Sequence, residues 1–591
     1  MSISSATQIA YSGLAAAQVQ MTVASANISN ADTPGYTEKT GNQSAVVSAG
    51  AGAGVSVSSI TSTVDKLLMK SLVGSTSDLG SANSINNYLD QLQELYGSTG
   101  DSNSAGTSLG NTLASLESAI SALAASPGDA SLSAAAVQAL NNVTSQLNQT
   151  SSGIQQLRGN VDQDIASTVS DTNTNLQLIG SLNAQIVQAT ATGQPTGDLE
   201  DQRNTALQAV AKNLNISYFT AANGSIQVYT AGGQALVDGS SVHALSYTPA
   251  STVTSATTYS ATPPSGFSGI TVNGFDITSQ IQSGALGGLI SLRDSILPGA
   301  QTQLDQLAGQ LASSLNAAHN QGTALPPPSA LTGSAVVSAA TPLSATGIAR
   351  FAVTDQKGNL VSYQDLDLSS YATVGDLVSA INGISGLSAS INASGNVVIS
   401  TTASGNGVAV NEMSSSVGAG AEGLSEYLGL NDLVTGTSAS DISVRSDISK
   451  NSSLLATSTL DSSSALTVGA SVLSAGSATA ANTIYNALTG STTFPAAGGL
   501  GTVSASFADY ASDIVASVAS KATQASSDYT NKQSAQSAFA NSMSSESGVN
   551  LDEETAKLSS LQNEYTASAE LLQVINQMFS ALMGAVQTAV A

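Results

Sequence analysis

The chain has no cysteine and no tryptophan, and only two histidines. Without cysteine there can be no disulfide, no thiolate zinc site and no cysteine nucleophile. Charge is scarce as well: 9% of the residues are charged, against roughly 25% in an ordinary soluble domain. The basic residues are the rarest, 14 against 39 acidic, which leaves a net charge of −25. Phosphate backbones are bound by neutralising them with Lys and Arg. With no basic cluster, nucleic acid is excluded as a partner, and an anionic membrane surface is disfavoured on the same ground. No charged residue occurs from Met1 to Ala31, so the basic start of a Sec signal is missing. That stretch is also too rich in Ser, Gln and Asn for a membrane span.

What is present is enough to fold. Of the 591 residues, 41% are hydrophobic, so three or four domains with proper cores are within reach. Ser, Thr, Asn, Gln, Ala and Gly take the place of charge. A surface of that kind suits large neutral packing interfaces and fits a secreted structural protein.

Both ends carry heptad seams. Ile3, Thr7, Ala10, Leu14, Ala17, Met21, Ala24 and Ile28 alternate spacings of four and three, and so do Leu558, Leu561, Tyr565, Ser568, Leu572, Ile575, Phe579, Leu582 and Val586. The first seam is mostly small residues and the second mostly large, so the large side chains of one helix can fill the gap left by the other. Neither helix is expected to hold alone. Ordering a residue costs about 1–2 kcal/mol of backbone entropy, and a buried Leu returns about 1.5–3 kcal/mol.

Between the ends, Asp32-Thr33-Pro34-Gly35-Tyr36 stops the first helix, because Pro34 disfavours helix at the residue before it and Pro-Gly marks a turn. Residues 41–58 read as flexible or extended. Helical spacing returns from about 64 to 200, broken at Ser126-Pro127-Gly128-Asp129. From about 213 to 282 the period falls to two, with turn signals at Asn223-Gly224, Gly232-Gly233, Asp238-Gly239 and Asn273-Gly274. Helix resumes from 285 to the Pro326-Pro327-Pro328 run. A second strand-rich stretch spans 330–440, with a hairpin turn at Lys357-Gly358-Asn359 and a short helix over Thr373–Ile381. From about 505 onward the pattern is helical, broken near Ser547-Gly548.

The expected fold is α+β: an elongated multi-domain rod with a terminal α-helical coiled coil, a helical domain and strand-rich inserted outer domains. The expected boundaries are 1–31 with 553–591 for the terminal helices, and 32–205 with 284–325 and 441–552 for the helical rod. A small β domain takes 206–283, and a β-rich outer domain takes 326–440.

No catalytic set can be assembled. His243 lies in a β segment, and His319 lies near a helix end, where a cation suits the dipole. Asp198, Glu200 and Asp201, like Asp552, Glu553 and Glu554, are read as acids offsetting helix N-termini. No phosphate loop, EF-hand or other cofactor motif is present. The expectation is no enzyme, no cofactor and no metal.

The ends also carry motifs. Ser12-Gly13-Leu14 followed by Asn27-Ile28-Ser29-Asn30-Ala31-Asp32-Thr33-Pro34-Gly35-Tyr36 resembles the N-terminal signature of flagellar rod, hook and hook-associated proteins. Ser547-Gly548-Val549-Asn550-Leu551-Asp552-Glu553-Glu554, with Gln562, Tyr565, Ala567, Ser568 and Ala569, resembles their C-terminal signature. The Pro-Gly-Tyr form and the interior runs 199–204, 232–237, 293–294, 304–308 and 427–432 are similar to the hook-associated protein 1 family. Glu38-Lys39 stand where that family commonly has Arg-Gln, and Glu570 stands where it has Arg.

The resemblance implies a structural subunit of the bacterial flagellum that joins hook to filament as a homo-oligomeric ring. It implies contacts with hook protein and the second junction protein, export by the flagellar type III apparatus without a cleaved Sec signal, and an extracellular location. It implies an export chaperone as an earlier partner, and neither nucleic acid nor membrane insertion. The N-terminal assembly interface would be Leu14, Met21, Asn27, Ile28 and Asn30, with Pro34, Gly35 and Tyr36 as the exit turn. The C-terminal assembly and chaperone interface would be Leu558, Leu561, Tyr565, Leu572, Ile575, Phe579 and Leu582. Another flagellar axial protein, or a surface-layer or adhesin-type protein, is the alternative.

Overall fold

The structure is a computed structural model that describes residues 3–48, 50–97, 100–101, 104–262, 264–474 and 476–590. Met1, Ser2 and Ala591, at the ends of the expected terminal domain, lie outside the described residues. The helices, in chain order, are α1 (Ile3–Asn30), α2 (Lys66–Leu95), α3 (Leu109–Ala125), α4 (Ala130–Thr192), α5 (Gly197–Asn213), α6 (Gly284–Ser291) and α7 (Leu297–Asn320). They continue with α8 (Val374–Asn382), α9 (Leu424–Leu428), α10 (Ser446–Lys450), α11 (Thr479–Thr489), α12 (Phe507–Ser547) and α13 (Leu551–Val590). With many small sheets between them, the fold is α+β.

Contacts group the chain into two compact units, one of residues 1–88, 159–294 and 524–591, the other of 89–158 and 295–523. In the first unit, α1 is followed by a hairpin of β1 (Lys39–Ser48) and β2 (Ala51–Ser62), paired antiparallel with bulges after Asn42 and Val46. The stretch read as flexible or extended is therefore mostly an ordered ribbon. Here α4 buries Val161, Ile165, Leu176, Ile179, Leu182 and Ile186, spaced by threes, fours and a sum of them. A four-stranded meander follows α5, over Ile216–Thr220, Ile226–Thr230, Ala235–Asp238 and Ser241–Val242. Its turns fall where Asn-Gly and Asp-Gly were read, with Gly224 at φ 84 and Gly239 at φ 60.

In the second unit, α3 buries Leu109, Leu113, Leu116, Ile120 and Leu123, the residues whose spacing marked it, and Ser108 caps it by accepting from the Asn111 N–H at 3.4 Å. Where the chain leaves the first unit, between α6 and α7, the ladder widens into a π turn at Leu292–Ile296, just before Pro298. A proline cannot donate to the carbonyl four residues back, so the helical run read as continuous is interrupted there.

The strand-rich stretch builds one sheet from Ile348–Asp355, Leu360–Asp367 and Asn406–Asn411, and another from Ala330–Thr332, Leu387–Ile391 and Val397–Thr401. They enclose Phe351, Val353, Leu366, Ile399 and Val410 together with Leu377 and Ile381 of α8. Thr373 and Asp376 close α8 as a capping box.

The expectation that 441–552 is helical needs correction over 451–478. Among the described residues, no α-helix lies between Lys450 and Thr479. Leu460, Val472 and Leu473 instead pack on Ala352, Leu360 and Ala409 at the edge of the β core. The cause is Arg350, which is fully buried. Its Nε and Nη2 bond to Asp365 at 2.6 and 2.8 Å, and its Nη1 donates to the Asp461 and Ser463 carbonyls at 2.8 Å each. The guanidinium fork thus fixes a Ser-rich segment that has no helical period of its own.

His319 is also corrected. It is fully buried; its Nδ1 donates to the Asn431 carbonyl at 2.5 Å, and its Nε2 accepts from the Ala456 N–H at 2.8 Å. Both bonds suit a neutral ring, and burial pushes its pKa down to about 4. It is a cross-link between segments rather than a cation for the dipole. An unfolded His titrates near 6.5. As pH falls from about 6.5 to about 4 the unfolded chain takes the proton first, so stability present above that window is lost within it, by up to about 3 kcal/mol. Urea unfolding at pH 7 and pH 4.5 should show this loss in the parent and a smaller one in His319→Gln. Equal pH slopes would contradict it.

Candidate functional site

The sequence-predicted site residues fall in the first unit, on α1, its exit turn and α13. The two helices run antiparallel. Gly13 lies beside Ser568, whose Oγ would stand at an ordinary contact distance of 3.4 Å from a Cβ there, and near the other end of the pair Lys557 Nζ is 3.7 Å from Glu38 Oε1. On α1, Ala10, Ala17 and Ala24 are buried, while Leu14, Met21, Ile28 and Asn30 are half-buried. On α13, Leu561 and Ile575 are buried, and Leu558, Ser568 and Leu572 are half-buried. The small-against-large arrangement is visible in those classes.

The pairing stops short of the end of α13. Tyr565 is exposed, and from Asn576 to Val590 every residue is exposed, including Phe579 at 52% and Leu582 at 51%. Leu571, Val574, Met578 and Met583 are bare as well. Leu571, Val574 and Met578 form a second apolar stripe beside the predicted seam, which sequence reading missed; the same three-and-four spacing shifted by one position would have found it. Fully burying one such side chain is worth about 1.5–3 kcal/mol, and within this chain that gain is not taken.

The other face of α1 carries Ala16, Val23 and Asn27, all buried. Asn27 is fully buried and acts like an added strand partner. Its Nδ2 donates to the Lys39 carbonyl at 2.9 Å, while its Oδ1 accepts from the Lys39 N–H at 3.0 Å and the Tyr36 hydroxyl at 2.9 Å. Burial first, then Asp198, Asp201 and Glu554, push Tyr36 up to about 12, so it stays a donor.

The turn between them is closed by the Tyr36 N–H on the Thr33 carbonyl at 3.1 Å, with Pro34 second and Gly35 third at φ 81. A side chain at Gly35 would also meet Thr205 Oγ1 at 2.6 Å. Pro34 and Gly35 are exposed. A cleft of about 310 Å³ separates this turn from Met69, Leu72, Ala540 and Met543.

Beyond the turn the chain is pinned to α5. Lys39, buried, reaches the carboxylate of Asp201 and donates to the Thr37 carbonyl at 2.9 Å; its ammonium also lies 4.2 Å from the Tyr36 ring centre. Asp201 further accepts from the Thr37 N–H at 3.0 Å and hydroxyl at 2.7 Å. Asp201 was read as offsetting a helix dipole. Asp198 and Glu200 do sit in the first turn of α5, but Asp201 lies one step deeper and serves as the counter-ion of Lys39.

Glu38 joins the start of α13. Its N–H donates to the Ser547 carbonyl at 2.8 Å, and its side chain meets Lys557, which also bonds the buried Glu554 at 3.0 Å. Burial is the main cause raising Glu38, with Glu554 adding to it against the opposing pull of Lys557. Asn550 caps α13 by accepting from the Asp552 N–H at 3.1 Å. Among the described residues, no group of three or more His, Asp or Glu could hold a metal ion, and no helix is long and apolar enough to cross a membrane.

Family models match at both ends of this arrangement. One described as "Flagella basal body rod protein" covers residues 8–37, on α1 and its exit turn. Another, "Flagellar basal body rod FlgEFG protein C-terminal", covers 540–585, on the end of α12 and most of α13. Both models describe one class, the rod-type proteins of the flagellar axis, and the chain is similar to it at both ends. A third, "Flagellar hook-associated protein FlgK helical domain", covers 89–329. Curated relatives named "Flagellar hook-associated protein 1" are 26% identical over 321 residues in Salmonella typhimurium and 25% identical over 321 residues in Escherichia coli. Over these stretches the chain is similar to the FlgK, or hook-associated protein 1, family, which is a family of flagellar structural proteins and not of enzymes.

Each of those matches spans 53% of the chain and 56% of the relative, so the chain covers about half the length of the curated relatives it matches. The solved flagellar hook junction protein FlgK of Burkholderia pseudomallei is 14% identical with a TM-score of 0.48, over 80% of this chain and 99% of that one.

Proposed function

We propose that this chain is a structural subunit of the bacterial flagellum at the junction of hook and filament, where copies form a ring through α1 and α13. The observation that carries this reading is the bare apolar length of α13 after Ile575, a surface built for partners outside the chain. Leu14, Met21, Ile28, Leu561, Leu572 and Ile575 hold the helix pair. Phe579 and Leu582 engage neighbouring axial subunits, namely hook protein on one side and the second junction protein on the other.

Before assembly the same stripe docks on an export chaperone, which hides it in the cytoplasm. The subunit then leaves through the flagellar type III apparatus and works outside the cell. It has no catalytic role. The four-part division read from the sequence enters this proposal as its domain plan, with 206–283 and 326–440 facing the medium.

Deleting the gene tests the reading by electron microscopy. Cells should carry hooks without filaments and lose flagellin to the medium. Normal filaments on the deletion strain would overturn the junction role, and missing hooks would point to another axial position.

A further inference from the structure

Among the described residues, the β1–β2 ribbon is a sheet of two strands with no third, and a lone hairpin is marginal in water. α1 crosses it diagonally. At its base, Asn27 bonds both backbone groups of Lys39, and Gln20 Nε2 donates to the Gly41 carbonyl at 3.4 Å, so the helix occupies the outer edge of β1 there. Toward the tip the helix has passed to β2. The Val55 N–H donates to Ser12 Oγ at 3.1 Å, and a Cβ on Gly54 would stand 2.1 Å from that same oxygen.

Two half-edges are left uncovered: Gln43–Ser48 of β1, exposed throughout, and Ser56–Thr61 of β2, exposed or half-buried. Among the described residues, no backbone group in either half bonds to the backbone of another element.

Nothing guards these edges. Proteins commonly block free strands with Lys, Pro or inward charges, yet from Thr40 to Val64 the chain has no charged residue and no proline. A foreign peptide added to a sheet is selected by side-chain pockets, and Ser, Ala and Val supply none. In a chain of net charge −25, copies approach at least electrostatic cost along an uncharged strip. The free halves are also diagonal, the tip of one strand and the base of the other. A second hairpin in the same orientation, shifted along the strands, sets them side by side and antiparallel.

We propose that Gln43–Ser48 of one copy pairs antiparallel with Ser56–Thr61 of the next. This head-to-tail contact continues the sheet from subunit to subunit. It rests on the self-assembly reading above and adds a contact that the terminal helices do not supply.

The cysteine-free chain makes the test clean. Within one copy Val46 faces Gly54, and Ser58 lies four residues farther along β2, roughly 13 Å away, beyond the reach of a disulfide. Mild oxidation of isolated flagella carrying Val46→Cys/Ser58→Cys should therefore give a ladder of dimers, trimers and larger species. Each single variant should give at least ~10-fold less. Val47→Lys, at a position 65% exposed, should melt within about 2 °C of the parent yet enter flagella at least ~10-fold less.

A double variant that incorporates but stays monomeric overturns the contact. So does dimer formation by Val46→Cys alone at the same rate, which would mean a two-fold pairing of β1 with itself, and so does Val47→Lys incorporating at the parental level. If even the parent protein is absent from purified flagella, the assembly reading fails first and this contact falls with it.

Discussion

Phe579→Asp and Leu582→Asp should each abolish filament attachment while leaving the purified protein as stable as the parent. Both side chains are about half exposed in the free chain, so a polar replacement there removes little internal packing, and surface changes of this kind usually stay within about 0.5 kcal/mol. In the assembly the same positions would be covered. A carboxylate buried without a partner costs several kcal/mol, and each 1.4 kcal/mol is tenfold in occupancy. Incorporation should therefore fall by roughly a hundredfold or more.

Ile575→Asp is the contrasting case. Ile575 is buried against α1 already, so that variant should lose both monomer stability and assembly. Thermal melts of the three proteins, set beside motility and the recovery of each from sheared flagella, separate the two effects. Swimming cells with full-length filaments in Phe579→Asp would sink the claim that this stripe is an interface.

Periodicity carried the helices well, because burial on one side of a helix leaves its trace every three or four residues. Leu109 to Leu123 and Val161 to Ile186 were legible for that reason. Turns were legible where Asn-Gly or Pro-Gly forces a backbone that other residues resist. The β1–β2 ribbon left a weaker trace. Its Ser, Ala and Gly positions alternate without contrast, and what holds it is α1, through Ser12, Gln20 and Asn27.

The segment 451–478 lacked any period, since its position depends on Arg350, a residue about a hundred places earlier. His319 misled in a similar way. Its place near a helix end suggested a cation, whereas burial among Asn431 and Ala456 makes it neutral.

Asp201 was the most informative misreading, and it leads to the second large effect. Being one step past the first turn of α5, it gains little from the dipole, which fades within that turn. Its value lies in Lys39, 162 residues away in sequence. Asp201→Ala should leave the Lys39 ammonium buried without a counter-ion and the Thr37 N–H and hydroxyl without their acceptor. Breaking a buried pair from one side costs about 3–5 kcal/mol.

Lys39→Met should cost less, because Asp201 keeps its two bonds from Thr37. The double variant Lys39→Met/Asp201→Ala should be clearly more stable than the sum of the two singles, since no charge is then stranded. Urea unfolding of the four proteins closes the cycle. A coupling near zero would mean that Lys39 finds water or Asp198, 3.8 Å away and exposed, as soon as Asp201 is gone. The pair fastens the exit of α1 to α5, so its loss should also loosen the hairpin behind it. Hydrogen exchange over residues 37–62 should rise in Asp201→Ala and fall back toward the parent in the double variant.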